Sequence, residues 1–183
     1  MDPAPSEFTQ ESIGSGTFPD VAAITVRQAG SQDLDTVRSI LVEAGQWTAR
    51  FGVPTWIGDE LSPERLAADI KAEMMFLADV GPEAAATIKF QLSDLEFWPD
   101  APAGESAYIH RLAVRRRFAG MGASTALMAW AVERTQALGL PRLRLDCDAD
   151  RPRLRAVYER FGFRYHSDRQ VGPYYVARYE LKV

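Results

Sequence analysis

The sequence predicts one mixed β-sheet flanked by helices, an α/β or α+β layer fold. Three observations lead to this class. Strand-like alternation and helical spacing follow each other in the order β, α, α, three strands, α, β, α, β, β. One strand–helix–strand unit, over 107–147, requires a parallel strand pair, whereas short turns make the earlier strands antiparallel. With 183 residues, of which 46% are hydrophobic, the chain has the material for one core.

The first half of the chain supplies a strand, two helices and a hairpin. Residues 23–29 alternate β-branched and polar side chains, and apolar residues at helical spacing follow over 31–50. A second helix is predicted over 62–72, because a serine N-cap precedes a proline in the first turn. A Gly-Pro pair then indicates a hairpin between two strands, at 74–80 and 84–92.

The second half repeats strand and helix before ending in strands. A loop rich in aspartate, proline and aromatic residues covers 93–105 and leads into a strand at 107–114. Glycine and proline end the long helix that follows, as expected at a helix C-terminus. The long helix is predicted at 122–138 and a further helix at 154–161. Strands are predicted at 143–147, 163–166 and 174–181.

Composition limits where the protein works. Residues 1–20 combine proline, glycine, serine and scattered acids and are expected to form a flexible tail, which leaves 21–183 as a single domain. The longest uninterrupted apolar run, 126–132, is far below the ~20 residues that cross a bilayer, so we expect no membrane partner. The lone Cys147 has no partner for an internal disulfide, and the first residues lack the positive charge of a signal peptide. A cytoplasmic location is therefore expected.

Charge is distributed unevenly along the chain. The segment 111–169 holds 13 arginines and six acids, a balance of +7, while the rest holds eight bases and 19 acids, a balance of −11. One part is therefore expected to attract an anion and the other a cation, unless the charges are dispersed and merely solvated. Nucleic acid is not an expected partner, because the whole chain carries −4 and phosphate backbones repel it.

The segment 108–125 has the layout of an anion site. It runs from a strand through a turn rich in arginine and glycine into a helix, whose first N–H groups lack internal partners and carry about half a positive charge. Gly120 and Gly122 let the backbone approach a phosphate, and three arginines at 115–117 add charge beside it. The alternative is a tight turn that is simply basic.

This segment resembles the GNAT superfamily of acyl-CoA-dependent N-acyltransferases, in which a strand ending in Leu-x-Val leads to a Gln/Arg-x-x-Gly-x-Gly/Ala loop. The strand end matches at 112–114. The letters at 117–122 (RFAGMG) match in part but lie two residues too near the strand, so the usual spacing selects 119–124 (AGMGAS). Ala119 then replaces the Gln/Arg and Ser124 the last Gly/Ala. The resemblance implies that acetyl-CoA is held by Leu112, Ala113, Val114, Arg117, Ala119, Gly120, Met121, Gly122, Ala123 and Ser124.

A second block also resembles this family. The strand at 143–147 and the letters LRAVYERFGF at 154–163 match its next strand and helix, although Arg151 stands at the position of an asparagine. The resemblance implies a mixed, mostly antiparallel sheet with a parallel strand pair that splays apart to admit acyl-CoA. It also implies that the backbone near Leu112 donates an N–H to the thioester carbonyl and that Tyr158 protonates the departing thiolate. The alternative for Tyr158 is a core aromatic residue on a helix face.

The acceptor amine needs a base, because an alkylammonium with a pKa of about 10 is mostly protonated at neutral pH. His110 lies two residues before Leu112, and some members of the family carry a histidine there; a structural histidine is the alternative. Asp94 or Glu96, acting through water, are further candidates. Trp47, Trp56, Phe97 and Trp98 belong to regions that border the acceptor groove in this family, which suggests an aromatic or cationic amine, but core or homodimer packing explains them equally well.

The leading hypothesis is therefore an N-acetyltransferase that moves the acetyl group of acetyl-CoA directly to a small amine or a peptide amine, without a metal. A longer acyl donor is an alternative of the same kind. A CoA-binding sensor or oligomerising module that has lost turnover is an alternative of another class. A dinucleotide-binding fold is disfavoured, because the glycines come late in the chain and no early strand–glycine–helix unit precedes them.

Overall fold

A computed structural model describes residues 23–52 and 55–183, and the tail predicted at 1–20 lies outside the described residues. In this part of the chain seven strands form one sheet, in the order β1-β2-β3-β4-β5-β7-β6. The strands are β1 (Ile24–Gln28), β2 (Met75–Val80), β3 (Glu83–Gln91), β4 (Ser106–Val114), β5 (Arg142–Asp148), β6 (Arg164–Val171) and β7 (Tyr174–Lys182). The helices are α1 (Leu34–Ala49), α2 (Pro63–Lys71), α3 (Ala123–Ala137) and α4 (Pro152–Phe161).

The pairing of the strands confirms the predicted fold class. All neighbouring strands are antiparallel except β4 and β5, which are parallel and are joined through α3. Ser62 caps α2 as predicted, because its hydroxyl accepts a hydrogen bond from the Arg65 N–H at 3.3 Å.

Two elements differ from the predicted bounds by three residues or more at one end, and the others by one or two. Residues 31–33 form a short 3-10 turn ahead of α1, since the Asp33 carboxylate accepts the Gly30 N–H at 2.8 Å and closes the chain before the α-helix begins. Strand β6 continues to Val171, five residues beyond the predicted end at 166. It is the edge of the sheet, where exposed polar residues give no apolar alternation, and pairing with β7 rather than burial defines it.

The helices cover the sheet in two apolar layers. On one side α1 and α2 bury Val37, Ile40, Leu41, Leu66 and Ile70 against β2. On the other side α3 and α4 pack Leu127, Met128, Ala131 and Tyr158 against β3, β4 and β5. Along α3, Ala123, Leu127 and Ala131 are buried, whereas Leu138 is 40% exposed because it lies beyond the last turn as the C-cap residue.

The sheet opens between its two parallel strands. β4 pairs with β5 only over Ser106–Ile109 and Arg142–Leu145. Beyond this stretch β4 continues to Val114 beside β3 alone, and β5 continues to Asp148 beside β7 alone. The end of β4 after residue 109 and the end of β5 after residue 145 are therefore not hydrogen-bonded to each other, and we call this opening in the sheet the gap.

Among the residues described, none of the helices combines the length and the hydropathy that a bilayer span requires.

Candidate active site

The loop between β4 and α3 exposes backbone donors. Gly122 is the N-cap of α3 with a φ of +89°, and its lack of a side chain leaves the first helical turn uncapped. Gly120 has a φ of +81°. A Cβ would meet no atom within 4 Å at Gly120, so it is the left-handed backbone rather than lack of space that favours glycine there.

Five backbone amides between residues 120 and 125 donate to no acceptor among the described residues. They belong to Gly120, Gly122, Ala123, Ser124 and Thr125. The amides of Ala119 and Met121 differ, since they donate to the carbonyls of Arg116 at 3.1 Å and Phe118 at 3.2 Å. Both residues were predicted to hold the acyl donor, and their N–H groups are already used. The free donors start at Gly120, which supports the 119–124 alignment of the loop over 117–122.

The three arginines before the loop bind acidic and aromatic groups of the protein. Arg115 forms an ion pair with Glu43 at 3.1 Å and donates to the Ser39 hydroxyl at 2.6 Å. Arg116 lies over the ring of Trp47, at 3.9 Å from its centroid. Arg117, predicted to bind the acyl donor, forms an ion pair with Glu83. Carboxylates on α1 and β3 therefore balance the charges of Arg115 and Arg117, whereas the guanidinium of Arg116 packs on an aromatic ring. The role of Arg117 in binding the acyl donor stays a prediction.

A β-bulge interrupts β4 where it leaves β5. The register pairs His110 with Lys89 and Ala113 with Thr87, so β4 has one more residue than β3 over this stretch. Arg111, inside the bulge, has a φ of +52°, which is unusual for a residue other than glycine. Ala113 then faces the α1–α2 layer, while Leu112 and Val114 lie against the α3–α4 layer.

His110 lies between two carboxylates. Its Nε2 is 3.0 Å from Asp94 Oδ2 and its Nδ1 is 3.3 Å from Asp146 Oδ1, and its side chain is only 16% exposed. Burial lowers the pKa of His110, but the negative charges of Asp146 and Asp94 outweigh it and raise the pKa to about 9. In turn His110 lowers the pKa of Asp94 despite its burial. At neutral pH the imidazole is therefore protonated.

The same three residues have the composition of a metal site. Their ligand atoms all lie within 4.8 Å of one another. Both ring nitrogens of His110 lie within 3.3 Å of a carboxylate oxygen, although neither contact has hydrogen-bond geometry, and the two negative charges favour a protonated ring, which has no lone pair for a metal. We therefore interpret Asp94, His110 and Asp146 as a charge cluster, hereafter the histidine cluster.

Tyr158 projects from α4 into the layer beside β5. It is 6% exposed, and its ring lies 6.1 Å from Phe163 and 6.4 Å from Tyr179. Burial raises the pKa of the Tyr158 phenol well above its usual value, and the nearby Cys147 and Asp146 add to the effect. Because of this raised pKa, Tyr158 keeps its proton at neutral pH. Its hydroxyl forms no hydrogen bond with another described residue, so that proton is free to be donated.

Of the four aromatic residues predicted near the acceptor, only Phe97 adjoins the histidine cluster, with its ring 5.7 Å from that of His110. Trp98 is 2% exposed and lies under the guanidinium groups of Arg144 and Arg178, at 4.8 and 4.7 Å from the ring centroid. Trp47 contacts Arg116 and Trp56 joins the α1–α2 layer, so packing explains these three tryptophans.

Sequence reasoning missed two acidic residues of this region. Asp146 shares the face of β5 that meets His110, and the strand alternation LRLDC contains that signal: Asp146 is out of phase with the buried Leu145 and Cys147. Asp69 lies in α2 and binds Arg111 at 2.6 Å and Lys89 at 2.8 Å. No local sequence pattern indicates a role for Asp69, because its partners are distant in sequence.

Comparisons with known proteins agree on one family. The sequence pattern of the acetyltransferase (GNAT) family matches residues 42–163. The uncharacterized N-acetyltransferase YesJ of Bacillus subtilis is 30% identical over 140 residues, which cover 73% of this chain and 78% of YesJ.

Two solved structures share the fold at low sequence identity. A GNAT-family acetyltransferase from Listeria monocytogenes superposes with a TM-score of 0.70 at 22% identity, over 86% of this chain and 95% of that one. The PaiA N-acetyltransferase from Thermoplasma acidophilum, solved in complex with coenzyme A, gives 0.71 at 18% identity, over 88% and 99%.

We expect His110 to titrate with a midpoint near pH 9. Because its folded-state pKa is raised above the unfolded value of about 6.5, the stabilisation from the histidine cluster is complete below pH 6.5 and is lost as the pH rises through 9. Imidazole chemical shifts in NMR, assigned with a His166→Gln variant, measure the midpoint. A midpoint at or below 6.5 would contradict the ion-paired geometry.

Proposed function

Because this chain belongs to the acetyltransferase (GNAT) family, we propose that it transfers the acetyl group of acetyl-CoA directly to a primary amine. The observation that carries this proposal is the juxtaposition of two features: the gap where β4 and β5 separate, and the five free amides that follow at the start of α3. A nucleotide diphosphate fits the free amides, and a narrow pantetheine arm fits a gap between strands.

The loop has the chemistry that a diphosphate requires. Free N–H groups at a helix N-terminus bind anions through hydrogen bonds and through the helix dipole. The glycine at the N-cap leaves no side chain to compete for these donors. The Thermoplasma relative was solved with coenzyme A, which supports a CoA thioester as the donor here. In this proposal Gly120, Gly122, Ala123 and Ser124 hold the diphosphate.

The bulge of β4 presents the backbone to the reacting carbonyl. We place the thioester oxygen at the N–H of Leu112, in the segment of β4 that β5 no longer pairs. The amine nitrogen attacks the thioester carbon, negative charge grows on that oxygen, and the carbon–sulfur bond then breaks. A preset donor at such an oxygen is worth about 3–4 kcal/mol in a dry site.

Direct transfer fits the state of the single thiol. Cys147 is buried, and burial raises its pKa to about 12. A thiol of this kind is not ionised at neutral pH and is a poor nucleophile, so an acyl-cysteine intermediate at Cys147 is disfavoured. The same buried, unpaired thiol is consistent with a reducing, cytoplasmic location.

The histidine cluster is placed to handle the ammonium form of the acceptor. Two carboxylates and one imidazolium leave a net charge of −1, which attracts a cation. After releasing its own proton to solvent, His110 can accept one from the bound ammonium, since a pKa of about 9 is close to that of an alkylammonium, about 10. Phe97 lies beside this point and offers an apolar wall for the acceptor.

Tyr158 supplies the proton that the leaving group needs. As the carbon–sulfur bond breaks, the sulfur gains negative charge, and the phenol that retains its proton can donate it there. The proposed acceptor is a small amine or the amine of a peptide. Because the rest of the chain outside 111–169 is acidic, a cationic amine is favoured.

We expect the protein to release free thiol from acetyl-CoA when an amine is present, and Tyr158→Phe to lower kcat about 100-fold. The phenylalanine keeps the ring contacts with Phe163 and Tyr179 and removes only the proton donor. A thiol-reactive dye and a panel of small and peptide amines measure turnover. Tight CoA binding without turnover on any amine would instead indicate the non-catalytic sensor.

We expect the acidic limb of the pH–rate profile to lie near pH 9 whichever amine is used, if His110 is the base. Two acceptors distinguish the titration of His110 from the titration of the substrate amine: an alkylamine with a pKa of about 10 and a peptide α-amine with a pKa of about 8. In His110→Gln the rate should fall and the limb should follow the pKa of the acceptor. A wild-type limb that already follows the acceptor would remove His110 from the proton transfer.

We expect Ser124→Glu to weaken CoA binding more than about tenfold while leaving the fold intact. A carboxylate in the first turn of α3 suits the helix dipole but repels a diphosphate. Gln136→Glu adds the same charge near the other end of α3, at an exposed position, and should leave the affinity unchanged. Calorimetry with CoA, beside thermal unfolding of both variants, tests this; equal affinities would place the diphosphate elsewhere.

A further inference from the structure

A carboxylate in α2 bridges the two strands that form the bulge. Asp69 Oδ2 is 2.6 Å from Arg111 Nη1 on β4, and Asp69 Oδ1 is 2.8 Å from Lys89 Nζ on β3. All three side chains are less than one-fifth exposed. Lys89 is the register partner of His110, the last residue before the bulge. We call Asp69, Lys89 and Arg111 the clamp.

We propose that Asp69 is a positioning residue for acetyl transfer, which acts through Arg111 to fix the β4 bulge and with it the direction of the Leu112 N–H. This inference rests on the function proposed above. Asp69 touches neither substrate in this proposal. Its effect passes through one strained residue.

Backbone geometry makes the link between Arg111 and the reacting carbonyl. The N–H of Leu112 belongs to the peptide unit that joins Arg111 to Leu112, so the backbone angles of Arg111 set where that N–H points. Arg111 has a φ of +52°, a conformation that a non-glycine residue keeps only where its surroundings hold it. The ion pair with Asp69 is the strongest such restraint on its side chain.

Charge explains why the loss of Asp69 would be felt at the bulge. The clamp contains two cations and one anion, and both cations depend on the same carboxylate. Without that carboxylate, Lys89 and Arg111 repel each other across the β3–β4 pair at the point where the register shifts. Separation of the two side chains relaxes the bulge.

The clamp also contacts two neighbouring segments of the chain. Arg111 Nη2 donates to the carbonyl of Glu60 at 3.1 Å, and the Glu60 side chain accepts the hydroxyl of Tyr174. The same hydroxyl accepts the Ile57 N–H at 3.0 Å. Arg111 thus connects the bulge to the loop before α2 and, through Glu60, to the β6–β7 turn. A change in Arg111 would therefore affect all three segments.

Asp69→Asn tests the proposal, with Asp79→Asn as a matched control. Asp79 lies on β2 beside another register shift, is 17% exposed and binds Arg27 at 2.7 Å, but β3 separates it from β4 and it forms no ion pair with Lys89 or Arg111. We expect Asp69→Asn to lower kcat at least about tenfold at saturating substrates, with the Kd for CoA within about twofold of wild type. Asp79→Asn should lose stability without a change in kcat, and Asp69→Glu should recover part of the rate.

Arg111→Gly provides a second test that does not depend on Asp69 variants folding. Glycine accepts a φ of +52° without strain but has no side chain for the clamp. A loss of kcat like that of Asp69→Asn supports the proposal. A wild-type kcat in Arg111→Gly, or equal kcat values in Asp69→Asn and Asp79→Asn, would overturn it.

Hydrogen exchange separates this inference from the proposed function. If the wild-type protein acetylates no amine, the proposed function fails, but the amide of Leu112 still reports the bulge by NMR. We expect its exchange to accelerate in Asp69→Asn and to be unchanged in Asp79→Asn. Unchanged exchange in both variants would show that the clamp does not hold the bulge.

Discussion

The gap between β4 and β5 is the constraint on which the rest of the site depends. A parallel strand pair that stays together for only four residues leaves two half-strands with one unpaired edge each. The protein maintains this opening by attaching each strand firmly on its other side, β4 to β3 and β5 to β7. The helices that follow the two strands then carry their N-terminal turns to the same side of the opening. The free amides at the start of α3 and the side chain of Tyr158 on α4 thus follow the two separated strands at the same edge of the sheet.

Electrostatics divides the two ends of this gap. At the α3 end the donors are neutral backbone amides, and the neighbouring arginines are paired with Glu43 and Glu83. At the His110 end two carboxylates share one imidazolium and leave an excess negative charge. In the proposed function, the anionic donor and a cationic acceptor therefore favour opposite ends of the gap, which would orient them before any specific contact forms.

The sequence contains much of the fold but only part of the site. Periodicity and turn residues locate the helices and most strand bounds, and a glycine at the N-cap of α3 marks the uncapped turn. The roles of charged side chains were less predictable, because they depend on partners far away in the chain: Glu83 for Arg117, and Asp146 for His110. His110 was expected as a general base or a structural histidine, and only its three-dimensional neighbours make it a cation at neutral pH.

Trp98 divides the 92–105 segment into an anchored part and an adaptable part. The indole under Arg144 and Arg178, and the two bonds from Arg178 to Asp100, fasten the base of the segment to β5 and β7. Leu95, which lies between Asp94 and Phe97 in the sequence, is 78% exposed, and its side chain has no such attachment. Substitutions at Leu95 can therefore accumulate without disturbing the contacts of Trp98 and Asp100, so this exposed turn is free to vary in sequence while the sheet below it stays unchanged.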